Sequence, residues 1–272
     1  MPKFTTSDGL CLYFTDEGAG KPLLCLSGLT RNGADFDFVA PHLDGVRLIR
    51  LDYRGRGQSD WGPHEGYQIP IEARDALELM DHLGLDQVAV LGTSRGGLIA
   101  MLLAATAKHR LLGVALNDIG PELAPEGLEV IKGYLGHAPI WKTYEQAAQA
   151  RRAALSGFAN IPQERWLAEA ERIFKQGPSG LELNYDPKLR EAVLASGTQA
   201  VPDMWPLYDA LAGLPLCLIR GANSDLLSHE TFTQMTRRRP DAVAAEVPDR
   251  GHIPFLDESE SLSALKAWIR ML

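Results

Sequence analysis

Ser94 stands in Gly92-Thr93-Ser94-Arg95-Gly96, a Gly-x-Ser-x-Gly pentapeptide between the apolar run Val88-Ala89-Val90-Leu91 and a helical pattern over 97–107. That placement suits a nucleophile. A sharp strand-to-helix turn lifts the hydroxyl clear of the strand, and a side chain two positions to either side would strike neighbouring backbone, so both positions are glycine. The N–H groups that open the following helix face any negative charge forming beside the hydroxyl. The bare pentapeptide recurs by chance, and a serine there can simply cap a helix. The flanking strand and helix are what give it chemical meaning.

A serine hydroxyl needs a base. His252 lies in Gly251-His252-Ile253-Pro254, a loop between an expected strand over 243–247 and the last helix, where a side chain can turn over the carboxyl edge of a sheet. The other six histidines (His42, His64, His82, His109, His137 and His229) occupy polar, helical or exposed-looking contexts. The base in turn needs an orienting acid. Asp225 follows the expected strand over 216–220 and Asp118 follows the one over 112–117. Both stand at carboxyl ends of strands, where open α/β sheets carry their sites, so the residues themselves leave the two open. For a developing oxyanion, the expected donors are the backbone N–H of Arg95, directly after the serine, and that of Leu29, in the loop after the strand over 23–28.

These groups must be held by a sheet. Apolar runs at 23–29, 46–53, 88–94 and 112–117 alternate with turns and with a helical pattern in which Ala73, Ala76, Leu77, Met80 and Leu83 recur at spacings of three and four, with Pro70 near its start and Gly84 at its end. Continuous apolar strands alternating with helices predict an α/β fold with a mostly parallel sheet buried on both faces. Residues 2–18 are expected to form an antiparallel hairpin leading into it. Residues 119–205 break the rhythm: no strand is evident, and helical pieces are expected near 126–135, 142–155, 163–175 and 187–196. The strand–helix pattern resumes at 216–220, and the last helix places Leu262, Leu265, Ile269 and Leu272 on one face. The expected organisation is a core over 1–118 and 206–272, interrupted by a helical insertion over 119–205.

The ordered set Ser27-Gly28-Leu29, Asp52-x-Arg54-Gly55-x-Gly57-x-Ser59-Asp60, Gly92-x-Ser94-x-Gly96-Gly97, Asn117-Asp118-Ile119-Gly120-Pro121, Asp225 and Gly251-His252-x-Pro254 resembles the α/β-hydrolase superfamily, specifically its small capped members, over nearly the whole chain. The resemblance implies an eight-stranded, mostly parallel sheet with helices on both faces, and residues 119–205 as a helical cap over Ser94. It makes the 52–60 loop a structural turn. It implies a triad in the order Ser94, Asp225, His252, with the acid on the penultimate strand and Asp118 second to it. The chain departs from the family at three points. Ser27-Gly28 stands where many members have His-Gly, Asp225 is four residues after Gly221 where Gly-x-x-Asp is common, and Arg95 follows the nucleophile where others carry an apolar residue or glutamine. The Arg95 guanidinium is therefore expected either to hold a substrate carboxylate or to pair with an acid of the cap or surface. Tyr134, Trp141, Trp166 and Trp205 are candidates to line the pocket or to pack the cap.

The expected chemistry is acyl transfer through an acyl-enzyme on Ser94, with a small carboxylic ester or lactone as substrate and no metal or organic cofactor. Two alternatives share the site: hydrolysis of a carbon–carbon bond in a ring-cleavage product, and a ligand receptor with slow turnover. Serine at 94 separates the chain from relatives that use aspartate there, which resemble haloalkane dehalogenases and epoxide hydrolases. A net charge of −8 disfavours nonspecific nucleic-acid binding and docking on anionic lipid. The partner expected is a small-molecule substrate, and nothing in the sequence specifies an oligomeric state. Three cysteines (Cys11, Cys25 and Cys217) without a Cys-x-x-Cys pair predict buried thiols rather than a disulfide framework. The N-terminus lacks a basic start followed by an apolar run, and no apolar run reaches the ~18 residues of a membrane span, so the expected setting is the cytoplasm.

Overall fold

Alternate residues of the central strands divide the core in two. In the computed structural model, which describes residues 2–196 and 203–272, these strands are β3 (Lys21–Leu26), β5 (Val88–Thr93), β6 (Leu111–Asn117) and β9 (Leu216–Gly221). Leu24 and Leu26, Val88 and Val90, Val114 and Leu116, and Leu216 and Leu218 face one cluster. Leu23 and Cys25, Ala89 and Leu91, Ala115, and Cys217 and Ile219 face the other. The two-residue period of a strand makes this division, and both faces being apolar is why these strands read as unbroken runs.

The first face is covered by α1 (Ile69–His82), α2 (Arg95–Thr106), α7 (Trp205–Asp209) and α8 (His229–Arg238), the second by α9 (Ser259–Ile269) and the loop around Phe36 and Val39. With β1 (Lys3–Thr5), β2 (Cys11–Gly18), β4 (Val46–Leu51) and β10 (Val243–Val247), the sheet has eight strands in the order β1-β2-β4-β3-β5-β6-β9-β10. The β1–β2 and β2–β4 pairs are antiparallel and the rest parallel. This is the expected sheet, with the expected hairpin at its edge. Cys25 and Cys217 are buried, as their apolar surroundings predict, while Cys11 is partly exposed; all three are free thiols.

The 52–60 turn is locked from within. Asp52 accepts the N–H of Gly33 at 2.7 Å and of Gln58 at 2.9 Å. Gly57, at φ +54°, leaves room for that carboxylate: a Cβ there would lie 2.0 Å from Asp52 Oδ2. Arg54 donates to Asp75 of α1 at 2.6 and 2.7 Å.

Between β6 and β9 lie α3 (Pro125–Tyr134), α4 (Tyr144–Ala154), α5 (Gln163–Ile173) and α6 (Leu189–Ser196), close to the helices expected. One element was not expected. Phe174–Gly177 and Gly180–Leu183 pair as an antiparallel hairpin, β7 and β8. Its strands are four residues each, too short for alternation to register in the sequence, and Phe174 and Leu181 join Trp166, Ala170 and Ile173 in a cluster of their own. Trp205 lies outside the pocket. It packs into the main core, donates Nε1–H to Glu122 at 2.6 Å and stacks under Arg238. No helix among the described residues is long and apolar enough to cross a membrane.

Trp268 anchors α9. It is fully buried and donates to the Pro215 carbonyl at 3.1 Å, just before β9. Trp268→Ala should cost about 3–5 kcal/mol of stability, read as a lower urea midpoint.

Candidate functional site

Ser94 sits between β5 and α2 at φ +51° and ψ −114°, a conformation that a non-glycine residue rarely holds. The neighbours enforce it. A Cβ on Gly96 would lie 2.0 Å from the Leu26 carbonyl oxygen, and one on Gly92 would lie 2.5 Å from that of Gly96. Gly96 N–H donates to the Ser27 carbonyl at 3.1 Å, and Ser94 N–H to that of Asn117 at 3.0 Å. The elbow is thus tied to the ends of β3 and β6.

His252 follows β10 in a loop that folds back over the sheet. Asn117, at the end of β6, donates its amide to the Pro254 carbonyl at 3.1 Å and holds the loop down. Glu258 closes the other end by accepting from Arg250 at 2.7 Å and from Phe255 N–H at 2.9 Å. The imidazole then spans two partners. Nε2 is 3.0 Å from Ser94 Oγ, and Nδ1 is 2.8 Å from a carboxylate oxygen.

That carboxylate belongs to Asp118, not to Asp225. Asp118 is fully buried at the end of β6, and besides His252 it accepts Gly221 N–H at 2.8 Å and the Ser224 hydroxyl at 2.6 Å. The loop after β9 supplies donors to the acid instead of the acid itself. The position three residues after Gly221 is Ser224, whose oxygen also accepts the N–H of Leu226 and Leu227 at 3.3 and 3.0 Å. One residue further on, Asp225 is exposed; it lines the cavity without a bond to His252. The expectation that Asp225 orients the histidine is therefore corrected by the loop's length.

Among the described residues, neither the Leu29 nor the Arg95 N–H donates to a protein acceptor. Leu29 lines the same cavity as Ser94. Ser27, which stands where many relatives carry histidine, is buried with its hydroxyl unpartnered, while its carbonyl accepts from Gly96 and from the Tyr53 hydroxyl at 3.2 Å.

The Arg95 side chain turns away from the cavity to a partner that the sequence did not reveal. Glu72 of α1, fully buried, accepts from Arg95 Nε at 2.5 Å and from Arg56 Nη1 at 2.6 Å. Arg56 Nε donates to the Leu29 carbonyl at 2.9 Å. One carboxylate thus braces both chain segments whose N–H groups are unpaired. Burial pushes the Glu72 carboxyl up, but the Arg56 and Arg95 charges outweigh it and hold the group below its ordinary value. Its signal in the sequence is faint: an acid four residues before Ala76, on the inner side of an apolar stripe.

Above Ser94 is a cavity of about 610 Å³. Its walls include Tyr134, Trp141 and Trp166 from the segment between β6 and β9, and Phe255 from the His252 loop. Phe158 stacks on Phe255 at 5.4 Å and meets Trp166 edge-on at 5.7 Å. Most of the lining is apolar, with a small number of polar groups, as in enclosed sites for small molecules.

Comparison with known proteins gives a consistent picture. The family profile described as alpha/beta hydrolase fold matches residues 21–139. A 3-hydroxybutyrate-oligomer hydrolase of Cupriavidus necator is 38% identical over 256 residues, covering 90% of this chain and 87% of its own. A 2-(acetamidomethylene)succinate hydrolase of Mesorhizobium japonicum is 27% identical over 261 residues, covering 95% and 90%. The crystal structure of an alpha/beta hydrolase from Novosphingobium aromaticivorans superposes with a TM-score of 0.94 at 39% identity, covering 100% of this chain and 98% of that one.

Glu72→Gln should lower stability by about 3–5 kcal/mol, because it leaves the buried Arg56 and the partly buried Arg95 guanidinium groups without their shared anion. Chemical denaturation of the variant beside the parent measures this.

Proposed function

This chain belongs to the α/β-hydrolase superfamily, and from that premise we propose that it cleaves carboxylic esters through an acyl-enzyme on Ser94. The observation that carries the reading is the position of His252, within hydrogen-bonding distance of Ser94 on one side and of Asp118 on the other. With its Nδ1 proton directed at Asp118, the ring offers the Nε2 lone pair to the serine hydroxyl.

As Ser94 Oγ attacks the ester carbonyl, its proton passes to Nε2. The carbonyl oxygen takes up the negative charge facing the N–H groups of Leu29 and Arg95, which need no reorganisation to receive it. The C–O bond then breaks, and Nε2 returns the proton to the departing alkoxide. Water repeats the sequence on the acyl-enzyme: it loses a proton to Nε2, adds to the carbonyl, and releases the acid as Ser94 recovers its proton. Asp118 fixes the histidine tautomer and stabilises the imidazolium at each stage. The segment over 119–205 serves as the cap, since Tyr134, Trp141 and Trp166 come from it to the cavity.

Two points support an ester as the bond cleaved. The cavity is mostly apolar, and its aromatic walls suit an acyl chain. The relative from Cupriavidus necator is named for hydrolysis of 3-hydroxybutyrate oligomers, and hydroxy acids join hydroxyl to carboxyl as esters.

Ser94→Ala should lower kcat on p-nitrophenyl butanoate by roughly 10⁴–10⁶-fold and abolish the mass increase that a p-nitrophenyl phosphonate produces on the parent. Retained turnover in that variant overturns the mechanism. For the acid, Asp118→Asn should lower kcat on the order of 10⁴-fold, whereas Asp225→Asn should stay within about tenfold of the parent, as for a group outside the triad. The reverse order would restore Asp225 as the orienting acid.

A further inference from the structure

Four charged side chains line the cavity close to one another: Arg31 from the loop after β3, Asp35 in the following turn, Arg151 of α4 and Glu169 of α5. Three of them satisfy each other. Arg31 Nε donates to both oxygens of Asp35 at 2.9 and 2.8 Å, and its Nη2 to Glu169 at 2.8 Å. The second oxygen of Glu169 lies 3.3 Å from Arg165. Burial works against the Arg31 charge, yet Asp35 and Glu169 outweigh it and raise the guanidinium above its ordinary value.

Arg151 is the fourth, and it is left over. Among the described residues it has no ion pair and no side-chain hydrogen bond, and its Nε is buried without an acceptor. Burial and the adjacent Arg31 charge push it down to about 10, so it is still a cation at neutral pH. Its neighbour Arg152 provides the contrast. Both stand in the last turn of α4, where a cation suits the helix dipole. Arg152 meets that need from solvent and reaches Gln163 at 3.3 Å. The dipole gives no reason to turn a second guanidinium into an apolar cavity, where an unpaired charge is costly unless an anion reaches it. Asp225 also lines the cavity, but after burial the groups that act most on Arg151 are Arg31, Glu169, Tyr134 and Asp35, in that order.

We propose that Arg151 is the specificity residue of this site and that its ligand is a substrate carboxylate, carried at the end of the molecule remote from the scissile ester. The proposal rests on the ester-hydrolase reading. A carboxylate is the anion such a substrate carries without further chemistry, and its two oxygens match the guanidinium fork. The preferred substrates are then ester acids, in which an apolar chain fills the aromatic part of the cavity and the acid end reaches Arg151.

The test compares acid and neutral substrates in matched pairs. For a carboxylate on the alcohol side the pair is 3-(butanoyloxy)butanoate and its methyl ester. For one on the acyl side it is mono-p-nitrophenyl glutarate and p-nitrophenyl pentanoate. In the parent, kcat/KM should favour the acid member of one pair, and that pair identifies the side. Arg151→Met should lower the acid-to-neutral ratio for that pair by roughly 10- to 100-fold, chiefly through KM. Arg151→Lys, which keeps the charge without the fork, should recover part of it. A merely structural role would lower both members together and leave the ratio unchanged, and that result in both pairs overturns the proposal. A binding measurement separates this outcome from failure of the ester reading. By calorimetry, Ser94→Ala should bind glutarate and Ser94→Ala/Arg151→Met should lose that binding, whatever bond the enzyme cleaves. Equal binding by the two overturns the proposal, whereas lost binding without turnover of any ester overturns the ester reading alone. Arg151→Met removes a charge that no protein group among the described residues hydrogen-bonds, so its melting point should stay close to the parent's; a lower melting point with an unchanged ratio makes Arg151 structural.

Discussion

The site depends on a carboxylate that never meets the cavity. Glu72 lies between Arg56 and Arg95, and through them it braces the two segments that flank Ser94. Arg56 reaches on to the Leu29 carbonyl, so the loop after β3 is held by its oxygen while its N–H stays unpaired. Arg95 is drawn back to α1, so its backbone opens α2 beside Ser94 and its side chain keeps clear of it. Ion pairs of this kind are weak evidence for stability, because desolvation offsets much of the attraction. In the proposed mechanism their value is geometric: donors for a developing charge must already be aimed before that charge appears.

The Ser94, His252 and Asp118 cluster shows the same economy of position on the other side of β5, at the same carboxyl edge of the sheet. Asp118 ends β6, and the ends of β5, β9 and β10 converge on it. Ser94 N–H bonds the residue before it, Gly221 and Ser224 donate to its carboxylate, and Asn117 pins the His252 loop through Pro254. Three donors on one buried carboxylate leave it little freedom to rotate. The histidine ring therefore inherits its orientation from the sheet rather than from its own loop.

The sequence was informative where chemistry is local. The elbow at Ser94 is legible because glycine, serine and glycine answer one steric problem within five residues, and His252 because a Gly-His-x-Pro loop follows the last strand. The sheet is legible because both of its faces are apolar. The acid was not settled by position alone. Asp118 and Asp225 both follow strands, and the choice turns on how the chain leaves Gly221, where Ser224 rather than an aspartate meets the neighbouring strand. The hairpin of β7 and β8 escaped because four residues cannot display an alternation. Glu72 escaped because a buried acid on a helix looks like a surface acid until the arginines that neutralise it are brought alongside.

Charge in the cavity can be understood through this same rule of pairing. Arg95, next to Ser94 in sequence, is a candidate to hold an anion, yet its charge is already met by Glu72. Arg31, in the loop after β3, is committed to Asp35 and Glu169. A guanidinium with a buried partner is part of the scaffold, and only one without a partner has its electrostatic energy still available to a ligand. Sequence proximity to Ser94 therefore points to an arginine that is already paired. The residue with free capacity is Arg151, more than fifty positions away and delivered by a helix of the insertion, so the segment that shapes the cavity also supplies its uncommitted charge.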